Sequence, residues 1–298
     1  MAGYENSTLL VTGASGHLGR KVVANLLARG ATRIIAVTRN PDKLSDLAAK
    51  GVDVRAGDFD DPASLDKAFK GAERVLLIST DTVGIPGGRK AQHIRAIDAA
   101  ERAGANYIAY TSLTSPYPST DPAAAVPDDH FWTEARLAAG STDWSSLRNN
   151  IYTEGLLQGV GAALSSGKLF HAQGEAGRAY VAHDDAAAAA AGALLTAEGK
   201  RIYDVGGPHA ITQPEVAAIL SRLSGKAIEA VSLSGADLSQ GLASAGVPAG
   251  FAAVLAQFDV DTAQGYHGIV TDAVEVLTGN KPKSVEEILT ANKAKLVG

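Results

Sequence analysis

"LLVTGASGHLGRKVV" occupies Leu9–Val23. Leu9, Leu10 and Val11 form a short apolar run that reads as a buried strand. Gly13, Gly16 and Gly19 follow at a spacing of three, and the residues from Leu18 onward have a helical pattern. A buried strand, a glycine turn and a helix in direct succession make the opening unit of a strand–helix–strand repeat, provided that more such units follow.

They do. Short runs rich in Val, Ile and Leu recur as "RIIAVTR", "VDVRAGD", "RVLLIST", "YIAYTSL" and, after a longer interval, "WSSLRN". None alternates strictly with polar residues, which is how strands covered on both faces of a parallel sheet read. The segments between carry helix signals: Asn40 and Asp61 stand as N-caps before Pro41 and Pro62, and Gly104 closes a helix containing Ile94 and Ile97. The fold class expected is α/β, a doubly wound parallel sheet of the Rossmann-like kind over residues 1–150. A smaller C-terminal α/β lobe is expected over 151–298, with part of 179–206 returning to the first domain. In that second half "YTEGLLQGVGAALSSG" reads as a helix, "AYVAHDDAAAAAAGALLTAEG" as a strand running into an alanine-rich helix capped by Asp184, and "RIYDVGG" as a strand. Thr212 and Glu215 form a capping box ahead of another helix, and "PYPSTDPAAAVPDD" reads as a loop.

Composition narrows the function. The 298 residues are 46% hydrophobic and 20% charged with a formal net charge of −5, and no Lys/Arg block appears, so nucleic acid is a poor fit as a ligand. The chain has no cysteine, which excludes disulfides, thiolate nucleophiles and every Cys-based zinc site. No leader pattern and no membrane-length apolar stretch is read, and a cytoplasmic setting is expected.

The glycine spacing gives the loop its chemistry. Gly13 would let the chain turn sharply, Gly16 would let the backbone approach a pyrophosphate, and Gly19 would let the helix pack closely. The amides of Ser15, Gly16, His17 and Leu18 would then face phosphate at a helix N-terminus. An NAD site places an acid about 20 residues beyond the loop. Here Arg39 stands at that strand end, with Lys43 one turn on, so NADP(H) is the cofactor expected, the guanidinium pairing with the 2′-phosphate.

Other catalytic patterns are missing. The sequence has no G-x-S-x-G elbow and no H-E-x-x-H, its seven histidines lack ligand spacing, and no metal is expected. None of the eight tyrosines is followed by lysine four residues later, so the Tyr/Lys proton-donor pair of ordinary short-chain dehydrogenases is missing too.

"VTGASGHLG", "AVTRNPDKL", "LLIST", "IAYTSL", "DDHFWTEARL" and "LRNNIYTE", in this order, resemble the NmrA-like atypical short-chain dehydrogenases, and among them the quinone oxidoreductases and triphenylmethane reductases. The resemblance implies an NADPH-dependent reductase that passes hydride to a quinone or similar small conjugated electrophile in a cleft between core and C-terminal lobe. It implies cofactor contacts from Gly13, Ser15, Gly16, His17, Leu18 and Arg39, with Asp58 and Phe59 near the adenine, Ser79 and Thr80 near the ribose and pyrophosphate, and Asn149 and Tyr152 on the nicotinamide side. Ser112 falls where the wider superfamily has its catalytic serine. Ser112 can equally cap a strand end, His130 can be a surface residue or a proton donor near neutral pH, and Tyr152 can be core. Relatives commonly have lysine where this chain has Ala135, next to Arg136. A non-catalytic NADP(H) sensor binding a protein partner is the alternative, and a homodimer is left open.

Overall fold

The computed structural model describes residues 3–82, 85 and 87–294. In chain order the strands are β1 (Leu9–Val11), β2 (Ile34–Thr38), β3 (Asp53–Ala56), β4 (Arg74–Leu77), β5 (Tyr107–Leu113), β6 (Asp143–Asn149), β7 (Lys168–His171), β8 (Lys200–Val205) and β9 (Glu229–Ser232). The helices are α1 (His17–Ala28), α2 (Ser45–Ala48), α3 (Pro62–Phe69), α4 (Gly88–Arg102), α5 (Ala125–Ala139), α6 (Leu156–Ser166), α7 (His183–Thr196), α8 (Gln213–Ser224), α9 (Gly235–Ser244), α10 (Ala249–Ala263), α11 (Ala273–Thr278) and α12 (Val285–Ala291).

Seven strands make one all-parallel sheet in the order β3-β2-β1-β4-β5-β6-β8, with the strand order reversing between β1 and β4. Ligands of such sheets bind outside the carboxyl ends of the strands at that reversal. One face is covered by α1 and α7: Val22, Val23 and Leu26 pack with Ala186, Ala190 and Leu194 against Leu9, Val11 and Ala109. The other face takes α3, α4 and α5 through Leu65, Phe69, Ala96, Ile97 and Leu137. A third core, with Val160, Val216, Leu220, Ile228 and Leu289, joins α6, α8 and α12. Asn40 and Asp61 cap as expected, each side chain accepting from a backbone amide two residues on.

Three local expectations are corrected, and two strands went unread. The N-cap of α7 is Ala182, and Asp184 instead lies in the first turn, holding Lys21 and Lys283 at 2.5 and 3.1 Å. The segment before α7 is no strand: it holds two isolated bridges, Val181 to Tyr152 and Arg178 to Ile211. Part of the loop expected over 116–129 is helical: α5 begins at Ala125 and holds Pro127 in its first turn, where a missing N–H costs nothing because that amide has no intrahelical partner. β7 and β9, which pair in parallel as a separate two-stranded sheet, carry no apolar run long enough to read as strands.

Candidate active site

At the switch between β1 and β4 a cleft of about 310 Å³ opens. Gly13, Ser15, Gly16, His17, Leu18, Gly19, Arg39, Asp58, Phe59, Ser79 and Thr80 all line it. Each glycine of the loop has its own reason. Gly13 turns the chain at φ +58°, which other residues adopt only with strain. Gly19 sits so close to the Gly13 carbonyl and the Ala14 Cα that a Cβ there would overlap both. Gly16, by contrast, has φ −77°, and its Cβ would stand 3.2 Å from the Gly13 oxygen, so its own backbone needs no glycine.

Gly16 is the N-cap of α1 and supplies no capping side chain, which leaves the first-turn amides of His17, Leu18 and Gly19 to a ligand. The expected role of the Gly16 amide is corrected, because that N–H donates to Gly13 O at 2.9 Å and is already engaged. Ser15 Oγ lies 2.9 Å from Thr38 Oγ1, tying the loop to the end of β2. Arg39, next along, is exposed and makes no hydrogen bond or ion pair among the described residues. A guanidinium without an acid partner on the wall of a cleft, beside uncapped helix amides, fits a dinucleotide carrying a 2′-phosphate. Lys43 is exposed and lies outside the cleft lining.

The opposite wall is set by α4. Thr80 is fixed at all three of its polar groups: its N–H donates to His93 Nε2 (3.0 Å), its hydroxyl to Gln92 Oε1 (2.8 Å), and its carbonyl accepts from Arg89 Nε (2.6 Å). Gln92 also donates to Asp60 (2.7 Å), and Arg95 donates to the Phe59 carbonyl (2.5 Å). One helix face therefore positions both the β3 and the β4 borders of the cleft.

Two candidates do not face it. Ser112 is buried and donates to Glu134 Oε1 at 2.7 Å, in a cluster where Ser146 and Arg148 hold the same carboxylate at 2.5 and 2.6 Å. His130 is neither on the surface nor at a helix start: it is buried within α5, with Nδ1 2.7 Å from the Tyr110 hydroxyl and Nε2 3.0 Å from Arg89. Burial, then the nearby Arg89 charge, pushes its pKa well below the ordinary histidine value, so it is no donor near neutral pH. Arg136, next to Ala135, is taken by Asp98 and Glu101 of α4 at 2.6 and 2.5 Å.

Asn149 and Tyr152 lie at the end of β6, beyond the lined cleft. Asn149 donates to the Tyr152 hydroxyl at 3.1 Å, and its Oδ1 is buried with no partner. Burial pushes Tyr152 up to about 12, against the lowering effect of that bond. His183, a residue that motif reading did not single out, stacks on Tyr152 with ring centroids 4.1 Å apart and meets His17 edge-on at 4.7 Å. Its carboxylate neighbour, Glu154, was also missed.

The comparisons with known proteins agree with this geometry. Residues 13–195 match the NAD(P)H-binding family model. The chain is 40% identical over 260 residues to quinone oxidoreductase 2 of Escherichia coli, covering 86% of this chain and 88% of that protein. Among solved structures, the Escherichia coli NADPH-dependent quinone oxidoreductase QOR2 in complex with NADPH superposes with a TM-score of 0.88 at 35% identity, over 95% of this chain and 99% of that one. The triphenylmethane reductase of Citrobacter sp. complexed with NADP(H) gives 0.85 at 31% identity, over the same shares. With a glycine loop, an uncapped helix start and a cleft at the sheet's switch point, this chain belongs to the NAD(P)H-binding family.

Proposed function

We propose that the protein is an NADPH-dependent reductase that passes hydride to a quinone or a similar small conjugated electrophile. The observation that carries the reading is Arg39, an unpaired guanidinium on the cleft wall at the end of β2, in a chain 40% identical to a quinone oxidoreductase. When bound, NADPH supplies the hydride. The first-turn amides of α1 and the loop residues Gly13 and Ser15 would hold the pyrophosphate, and Arg39 the 2′-phosphate, with Lys43 adding charge nearby. Asp58 and Phe59 would border the adenine, Ser79 and Thr80 the ribose, and the free Asn149 Oδ1 would accept from the carboxamide. Residues 1–150 then carry the cofactor and 151–298, less the returning 179–206, close over the acceptor. The cysteine-free, acidic composition supports a cytoplasmic setting.

A site without a Tyr/Lys pair suits acceptors that stabilise their own negative charge. The hydroquinone anion does so through its ring, whereas a simple ketone yields an alkoxide that needs a strong donor or oxyanion support. The test is loss of NADPH absorbance on adding quinones, enones, imines, cationic dyes and ketones. Quinones are expected to turn over much faster than unactivated ketones. Turnover of none of them overturns the reading in favour of a sensor.

A further inference from the structure

His183 is the first residue of α7, and its ring touches His17 of the glycine loop, with Glu154 beside it. Both oxygens of Glu154 accept the His183 backbone N–H at 3.1 Å, and Glu154 Oε2 stands 3.2 Å from His183 Nδ1. The carboxylate thus does for α7 what a capping side chain would, and it stands beside His183 Nδ1, which is buried without a hydrogen-bond partner among the described residues. With Nδ1 turned to the carboxylate, Nε2 is the nitrogen left to exchange a proton. The ring packs edge-on against His17, which lines the cleft, with centroids 4.7 Å apart.

We propose that His183, lying beside Glu154 and stacked between His17 and Tyr152, is the proton donor to the reduced acceptor, acting from Nε2. The proposal rests on the hydride-transfer reading above. Hydride adds to the acceptor and leaves an electron pair on its carbonyl oxygen; the Nε2–H bond breaks as an O–H bond forms there, and the neutral imidazole regains its proton from solvent. One hydride and one proton complete the reduction of a quinone to a hydroquinone.

The ring has an anionic neighbour. Burial alone would raise the Glu154 carboxyl, but the bonds from the His183 ring and the two backbones outweigh it and hold Glu154 below its ordinary range, so it is charged at neutral pH. From α1, His17 and Lys21 face the ring, and His17 is pushed down by burial first and then by the His183 charge. Asp184 and Asp185 lie on the same helix, Lys283 ahead of α12, and Tyr152 beneath the ring. Lys21 and Lys283 are both held by Asp184. Tyr152, pushed up to about 12, holds its own proton too firmly to serve instead.

The experiment has two readouts. In the cofactor-free protein with labelled histidine, NMR follows the ring titrations, and the His183 signal is the one that disappears in His183→Gln. Its midpoint should fall in Glu154→Gln, because the charge that favours the imidazolium is gone. In kinetics with a quinone, wild-type kcat should fall as pH rises through that midpoint. Glu154→Gln should move this limb to lower pH, and His183→Gln should abolish it while lowering kcat about a hundredfold with NADPH affinity unchanged. An active wild type whose kcat and pH limb survive His183→Gln overturns this proposal alone. So does a loss of kcat fully accounted for by weaker NADPH binding, or a His183 midpoint unmoved in Glu154→Gln. A wild type that reduces no acceptor overturns the hydride-transfer reading along with it.

Discussion

At Gly16 and Gly19 the same residue type serves two ends, and substitution separates them. Gly16 has ordinary backbone angles and only moderate crowding, so Gly16→Val is expected to fold and to lose NADPH binding, its side chain filling the space where a pyrophosphate would approach. Gly19 abuts the Gly13 carbonyl and Ala14, so Gly19→Ala should destabilise the loop itself, by roughly 1–3 kcal/mol as overpacking does. Titration calorimetry with thermal unfolding on both variants checks the contrast. Unchanged NADPH affinity in folded Gly16→Val would mean the loop is a turn and nothing more. These roles are local, which is why the loop and Arg39 could be read from sequence: spacing along the chain is enough. Ser112 and His130 could not, because which way they face depends on what packs there. Glu134, 22 residues beyond Ser112, and Tyr110, 20 before His130, take their side chains away from the cleft. His183 and Glu154 are 29 residues apart and meet only in the fold.

At the scale of elements, α7 is an alanine-rich helix whose low complexity is a packing device. Its small side chains admit α1 on one side and α11 on another, and at Gly192 the approach is closest: a Cβ there would overlap the Leu277 carbonyl of α11. Two effects oppose each other in Gly192→Ala. Alanine is the better helix former by about 1 kcal/mol, and overpacking against backbone costs about 1–3 kcal/mol. Backbone cannot swing aside as a flexible side chain can, so the clash should win and urea unfolding should find the variant less stable. A stabilised variant would show that α11 yields easily. The inner strands of the main sheet were legible because a strand buried on both faces must be apolar throughout, as Leu9–Val11 and Ile34–Thr38 are. β7 and β9 have four residues each and are largely exposed or half-buried, so "KLFH" and "EAVS" carry no such signal.

The whole molecule stores several histidines in neutral form, and its stability should depend on pH accordingly. Burial pushes His93 and His130 well below the ordinary value of 6.5 and His267 down to about 3. Below pH 6.5 the unfolded chain binds a proton at each of these positions and the folded chain does not, so stability present above that pH is lost as pH falls. Each contributes roughly 1.4 kcal/mol per pH unit, and the three together roughly 4 kcal/mol. Asp129, Asp185, Asp204 and Asp261 are raised by burial and work in the opposite direction nearer the carboxylate range. Unfolding free energy should therefore drop as pH falls below 6.5, the His267 part of the loss continuing to about pH 3. Stability that is flat or rises over that interval would contradict neutral burial of these rings.

The cleft, the loop and the family all bear on the proposed use of the molecule, reduction of a quinone-like acceptor by NADPH, with Arg39 proposed to hold the cofactor. The most direct measurement is kcat/KM for NADPH and for NADH with a quinone acceptor, in the wild type and in Arg39→Ala. A charge-assisted bidentate contact is worth about 1.5–3 kcal/mol, so the wild type should favour NADPH by about tenfold to a hundredfold, and Arg39→Ala should bring the two cofactors close to parity. Equal use of both cofactors by the wild type, or no quinone-dependent oxidation of either, would contradict the account.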